Sequence, residues 1–86
     1  MESREPFQNY LQYRCVADLD GLPTKIAAGI VKKIGRLEAG LHGDIKRLKE
    51  HDPAYRLRMG DYRVLFDVEG QTITICRVKH RREAYD

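Results

Sequence analysis

Eighty-six residues make one small domain, 1–86, with one modest core, since a chain of this size buries only about 60–65% of its unfolded surface. A hydrophobic fraction of 42% beside a charged fraction of 34% excludes a disordered chain, and no apolar run approaches the ~20 residues of a membrane span, so no membrane partner is expected. Cys15 and Cys76 stand apart with no CxxC or His/Cys ligand spacing, and Met1–Pro6 has no apolar signal core, which points away from a disulfide scaffold or a zinc module and toward a reduced cytoplasm.

The net charge of +3 is unevenly placed. Residues 1–44 carry six Lys/Arg and six Asp/Glu, whereas residues 45–86 carry ten and seven. The excess gathers where Arg77, Lys79, Arg81 and Arg82 surround His80. Such a cluster on a near-neutral body fits either an anionic partner or a solvated face.

Residues 7–13 predict a short strand, with Phe7, Leu11 and Tyr13 in period two and Asn9 interrupting. Residues 14–21 predict a short helix with Cys15, Val16 and Leu19 on its apolar side, broken at Leu22-Pro23. From Thr24 to Ala39 the spacing is helical. Ile26, Ile30, Ile34, Leu37 and Leu41 share one face, which Ala27 and Val31 widen, and Gly40 suits the stop. Gly29 and Gly35 leave room for a neighbouring backbone. Residues 42–54 read as a polar connection, with a helical turn near Asp44–Lys49 anchored by Ile45 and Leu48. His42 and His51 fall in it and receive no chemical role.

From Ala54 the period changes to two. Tyr55, Leu57 and Met59 alternate with Arg56 and Arg58, and Tyr62, Val64, Phe66 and Val68 alternate with Arg63, Leu65 and Asp67. Turns at Gly60-Asp61 and Glu69-Gly70, then the β-branched run from Thr72 to Val78, complete an antiparallel three-strand meander. An amphipathic helix and a sheet with one apolar face bury each other, so the fold class is α+β in two layers.

Alternation places Arg56, Arg58 and Arg63 opposite the apolar face. With Arg77, Arg81, His80 and Tyr85 they are expected to converge on the free face of the sheet and its rim. Arginine suits a phosphate because its planar fork donates two parallel hydrogen bonds and its charge is permanent. An exposed tyrosine can stack on a base. The bland alternatives are a soluble sheet face, an Arg63–Asp67 pair and a packed terminal aromatic.

The stretch Tyr55-Arg-Leu-Arg-Met-Gly-Asp-Tyr-Arg-Val-Leu-Phe66, with Ile75-Cys-Arg-Val-Lys-His-Arg-Arg-Glu-Ala-Tyr85, resembles the C-terminal half of the RelE/ParE toxins. Asp18-Leu19 and Leu22-Pro23 match the short helix and break of that family. The resemblance covers residues 45–85 strongly and 15–40 more loosely. It implies a RelE-like β-α-α-β-β-β fold, an antiparallel sheet packed against two N-terminal helices. It also implies a toxin of a type II toxin–antitoxin pair: a ribosome-dependent, metal-independent mRNA endoribonuclease of the RelE type or a DNA gyrase inhibitor of the ParE type. Implied partners are a cognate antitoxin, the ribosomal A site with its mRNA, and operator DNA through the antitoxin complex; no cofactor is implied.

Carried over by motif position, the residues the family uses for cleavage are Arg56, Arg58, Arg63, Arg81 and Tyr85, with Arg58, Arg63, Arg81 and Tyr85 as the catalytic candidates; Arg56 and, from the basic cluster, Arg77, Lys79 and Arg82 are the candidate RNA contacts. The chain departs from the pattern in three places, one of them an N-terminal strand that is hard to recognise. Arg56 stands where a lysine is usual, and an arginine is a poor general base. Lys79 stands where a glycine is usual. His80 is therefore a candidate base or acid, its alternative being a ring that pads a basic turn. A catalytically weak member acting through antitoxin binding and operator regulation is the third reading.

Overall fold

Ile30, Ile34 and Leu37 recur at helical spacing, while Leu57, Val64, Phe66, Ile73 and Ile75 recur at strand spacing, and these two sets are buried against each other with Cys15, Leu19 and Val78. That is the core of the computed structural model, which describes residues 7–41 and 43–83. The chain runs β1 (Gln8–Leu11), α1 (Tyr13–Asp20), α2 (Thr24–Arg36), a 3-10 turn (Leu37–Ala39), β2 (Ile45–Arg47), β3 (Tyr55–Met59), β4 (Tyr62–Glu69) and β5 (Thr72–His80). One five-stranded sheet has the order β1-β5-β4-β3-β2. The α+β class and the two N-terminal helices are as the sequence implies.

Three features differ from the sequence reading. First, the sheet is mixed: β1 pairs parallel with β5, and the remaining pairs are antiparallel. Asn9 does not interrupt β1. It faces the same side as its partner Ile73, and its Nδ2 donates to the Ile34 carbonyl in the last turn of α2 at 2.9 Å. Such a bond satisfies a carbonyl that the helix end leaves open. Tyr13 opens α1 instead of closing β1, and it is exposed. Secondly, residues 45–47 form β2, not a helical turn. Lys46 pairs with Arg56 and Arg47 with Tyr55. This makes β3 an interior strand. Thirdly, the buried stripe of α2 is narrower than the periodicity suggests, for Ile26, Val31 and Leu41 are exposed. Gly29 does approach the sheet, a Cβ there lying 3.7 Å from Met59 Cε, whereas a Cβ on Gly35 would meet nothing. Gly60 (φ 60°) and Gly70 (φ 61°) supply the left-handed backbone that both hairpin turns need.

β5 contains a bulge. Leu65 pairs with Arg77 but Phe66 with Ile75, so Cys76 is an extra residue. The inward-facing residues change parity there. Ile73 and Ile75 face the helices before it, and Val78 faces them after it. β1 covers only Thr72–Ile75 of the outer edge of β5. Beyond the bulge, Asp18 of α1 takes over. Its Oδ2 accepts from the Val78 N–H at 2.9 Å and from Arg77 Nε at 2.8 Å, and its Oδ1 accepts from Arg77 Nη2 at 3.1 Å. Burial alone pushes the Asp18 carboxyl up, but the hydrogen bonds from Arg77 and Val78 and the charges of Arg77 and Lys79 outweigh it and hold the group below the usual carboxylate range.

A depressed folded-state value means that Asp18 contributes stability above the unfolded carboxylate pKa, about 3.9. That contribution is lost as pH falls through the lower folded value. Asp18→Ala leaves the Val78 N–H and Arg77 without this acceptor and is expected to cost about 1–3 kcal/mol near neutral pH in urea unfolding. Asp18→Asn is expected to lower the melting temperature near neutrality, with the gap to wild type narrowing below about pH 4.

Candidate nucleic-acid interface

The register places Lys46, Arg56, Arg58, Arg63, Leu65, Arg77 and Lys79 on the sheet face away from the helices, because directly paired residues share a face. Arg58 lies opposite Arg63, and Arg63 lies opposite Lys79. These three therefore form a row across β3, β4 and β5. Arg81 joins it at the β3–β4 turn. Its N–H donates to the Asp61 carbonyl at 2.7 Å, and its Nε lies 3.9 Å from Asp61 Oδ1. Arg63 reaches the same turn, its Nη1 donating to the Gly60 carbonyl at 2.9 Å and to the Tyr62 carbonyl at 3.1 Å. One two-residue turn thus anchors Arg63 from below and Arg81 from the rim.

The cations are not equally available, and here the expectation of an exposed arginine face is corrected. Arg56 is 7% exposed and Arg63 4%. Arg56 is buried because β2 turns β3 into an interior strand, with Lys46 on one side and Leu65 on the other. Asp44 stands 3.9 Å from the guanidinium of Arg56 and 3.9 Å from that of Arg58. Arg63 folds back on its own turn, and Asp67 Oδ1 accepts from the Ala54 N–H at 2.7 Å. Arg77 is engaged by Asp18. The Arg58 and Arg81 side chains, by contrast, are 55% and 59% exposed. Lys79 is half-buried and Arg82 is exposed.

His80 does not join the row. It pairs with Tyr62, follows Val78 by two residues and so faces the helix side. Its ring meets the Tyr62 ring edge-on at 5.4 Å, and its Nδ1 accepts from the Arg82 N–H at 3.2 Å. The bulge at Cys76 is the reason, since it exchanges the faces of every later residue of β5. Tyr85 and His42 lie outside the described residues.

Beside Lys79 the same sheet face opens into a cleft of about 540 Å³, between the start of α1, the 48–54 connection and the bulged part of β5. Leu65, Cys76, Arg77 and Lys79 form its floor, and Arg14 and His51 its walls. Sequence reading gives neither Arg14 nor His51 a role, since Arg14 stands at the polar start of the short helix and His51 in the polar connection. The connection is held in place by the Leu48 N–H on the Ala54 carbonyl at 2.7 Å and by Asp67 on the Ala54 N–H. Burial, with the charges of Asp67 and Asp52, pushes the Cys76 thiol above its ordinary value. Burial, then Asp18 and Cys76, push the Cys15 thiol up to about 11. Neither sulfur is a ready nucleophile near neutral pH. No group of three or more His, Cys, Asp or Glu suited to a metal ion occurs among the described residues. No helix among them is long and apolar enough to cross a membrane.

Two helices on one face of a small mixed sheet, with a row of cations on the other, form the arrangement of the RelE/ParE class. The chain belongs to that family: residues 12–85 match the family described as ParE toxin of type II toxin-antitoxin system, parDE. It is 46% identical over 43 residues to Toxin RelE3 of Methanocaldococcus jannaschii, a match that spans 50% of this chain and about half, 49%, of that relative. Among solved structures it resembles a chain of the RelBE2 toxin–antitoxin complex from Mycobacterium tuberculosis, with 30% identity, a TM-score of 0.76, and coverage of 88% of this chain and 99% of that one. It also resembles a chain of the RelB–RelE antitoxin–toxin complex from Methanococcus jannaschii, with 33% identity, a TM-score of 0.70, and coverage of 84% and 89%.

Burial separates the arginines by what their loss does. Arg63→Ala leaves the Gly60 and Tyr62 carbonyls without this donor and is expected to cost about 1–3 kcal/mol. At this chain length each kcal/mol lowers the melting temperature by about 4–8 °C. Arg58→Ala and Arg81→Ala should stay within about 0.5 kcal/mol of wild type, as exposed substitutions usually do. Thermal unfolding of the three variants followed by circular dichroism checks this, and a wild-type melting curve for Arg63→Ala would show that its buried bonds carry no net stability.

Proposed function

We propose that the protein is the toxin of a type II toxin–antitoxin pair and that it acts in the cytoplasm by cleaving mRNA in the ribosomal A site. The observation that carries this reading is the gathering of Arg58, Arg63 and Arg81 about the Gly60-Asp61 turn, with Lys79 beside Arg63. RNA cleavage by its own 2′-hydroxyl needs the charge on the phosphorane stabilised. Fixed guanidinium donors provide that charge without a metal ion. Arg63 is held rigidly on a strand. Arg58 and Arg81 face loose carboxylate neighbours at 3.9 Å, Asp44 and Asp61. A phosphate gives each a stronger partner than a carboxylate at that distance, because close, charge-assisted hydrogen bonds exceed a solvent-exposed ion pair. Lys79, in place of the usual glycine, adds a fourth cation. Arg56 supports the row from beneath it, and Tyr85 serves in base stacking or proton transfer.

The partner that silences such a surface is an acidic antitoxin segment lying over Arg58, Arg63 and Arg81, since complementary charge both steers and specifies such contacts. The antitoxin complex would in turn carry operator recognition. The description of the matched family by its ParE members favours one other reading, inhibition of DNA gyrase. That function has no need of a phosphate clamp.

Induction without antitoxin is expected to depress methionine incorporation before thymidine incorporation. In single-turnover cleavage on programmed ribosomes, Arg58→Ala or Arg81→Ala is expected to lower the rate by about two to three powers of ten, the scale for losing one transition-state donor. Arrest of DNA synthesis first, with mRNA intact and gyrase supercoiling blocked, would establish the gyrase reading instead.

A further inference from the structure

A phosphate clamp works only if each guanidinium is aimed before the substrate arrives, because a displacement of about 1 Å costs on the order of 10²-fold in rate. Arg58 and Arg63 are aimed by the strands that carry them. Arg81 immediately follows β5 and lies in a turn, where no ladder fixes its backbone. Its side chain is exposed and meets Asp61 at 3.9 Å, too far for a hydrogen bond to direct it. The direction of that side chain therefore depends on the two planar peptide units that flank its Cα.

Each of those units is held by one hydrogen bond. The unit before Arg81 gives the Arg81 N–H to the Asp61 carbonyl at 2.7 Å. The unit after it gives the Arg82 N–H to Nδ1 of His80 at 3.2 Å. The Glu83 N–H closes the turn on the His80 carbonyl at 2.8 Å. His80 thus caps with its ring the turn that its own carbonyl begins. Asn and Asp side chains make the same bond to the N–H two residues on. A backbone N–H only donates, so Nδ1 is without hydrogen and the neutral ring carries its proton on Nε2. The ring is itself held. Tyr62, its partner across β4, meets it edge-on with the centroids 5.4 Å apart. Tyr62 packs against the core and immediately precedes Arg63. The bulge at Cys76 sets up this arrangement, since it turns His80 away from the cation row and onto Tyr62.

We propose that His80 is a positioning residue for Arg81: its Nδ1 fixes the peptide after Arg81 and so aims that guanidinium at the phosphate shared with Arg58 and Arg63. This rests on the RNA-cleavage reading above. In this role the ring touches the turn and not the substrate, and it neither takes nor gives a proton.

Two replacements divide the ring from its acceptor. His80→Phe keeps an aromatic ring for Tyr62 but gives the Arg82 N–H no acceptor. His80→Asn gives up the ring and keeps an acceptor, Oδ1, within reach of that N–H. In single-turnover cleavage on programmed ribosomes by the full chain, His80→Phe is expected to be about 10²-fold slower than wild type, and His80→Asn to stay within about fivefold of it. In an Arg81→Ala background, His80→Phe should change the rate by less than about twofold, since a residue that acts only through another adds nothing once the other is gone. Two measurements on the wild-type protein alone stand whatever the variants do. Amide hydrogen exchange should find the Arg82 N–H protected. Ring-nitrogen chemical shifts near pH 8, where imidazole is ordinarily neutral, should place the His80 proton on Nε2. An unprotected Arg82 amide, a proton on Nδ1, His80→Asn as slow as His80→Phe, or a full further loss from His80→Phe on top of Arg81→Ala overturns the assignment while leaving the RNA reading standing. A wild-type chain that cleaves no mRNA on ribosomes overturns both.

Discussion

The extra residue at Cys76 is the constraint on which the working face depends. Period two carried unbroken from Ile73 and Ile75 would turn Arg77 and Lys79 into the core and Val78 out to water. Burying two unpaired cations is far costlier than a local kink in one strand. The bulge resolves the conflict: it sends Val78 inward and places Lys79 beside Arg63. It also opens a stretch of β5 edge that β1 is too short to cover, and Asp18 closes that stretch by binding both the Val78 N–H and Arg77. Arg77 thus serves the fold. The register it secures is what brings Lys79 beside Arg63.

β2 has a comparable reach for its three residues. By pairing with β3 it converts an edge into an interior strand and buries Arg56. A buried guanidinium is tolerated only where hydrogen bonds or counter-charges meet it, and Asp44 lies at the mouth of that pocket. The sheet face therefore has two tiers. Arg56 and Arg63 are buried cations, while Arg58 and Arg81 are exposed, each 3.9 Å from an aspartate. Fixed charge placed before the ligand arrives requires no reorganisation on binding, the circumstance in which electrostatic stabilisation is most effective.

Much of this was legible in the chain. The meander, the amphipathic α2 and the basic excess follow from spacing and sign alone, and the hairpin and C-terminal motifs carried the family. The bulge was legible in principle, because Ile73, Ile75 and Val78 break parity by one, but a β-branched run hides a break in period when every residue suits a strand. His80 was accordingly placed with the arginines when its ring lies on the other face. Burial of Arg56 and Arg63 was not legible, since it depends on a strand of three residues whose sequence, Ile45-Lys46-Arg47, has no alternation long enough to read. His51 escaped for a related reason. A loop residue acquires its surroundings from whatever the fold brings beneath it, here the bulged part of β5 and the Asp67 carboxylate that moors Ala54.

Strand and loop carry different kinds of chemistry in this arrangement. Strand-held arginines cannot lose their protons and are fixed to within the precision of the sheet, which suits the stabilisation of charge. A proton acceptor has the opposite requirement. It must change charge during the reaction and must not be locked into an ion pair with the cations around it. The usual lysine of the family combines charge and proton transfer in one side chain. Arginine at position 56 keeps its proton at any working pH, so that strand position contributes charge alone.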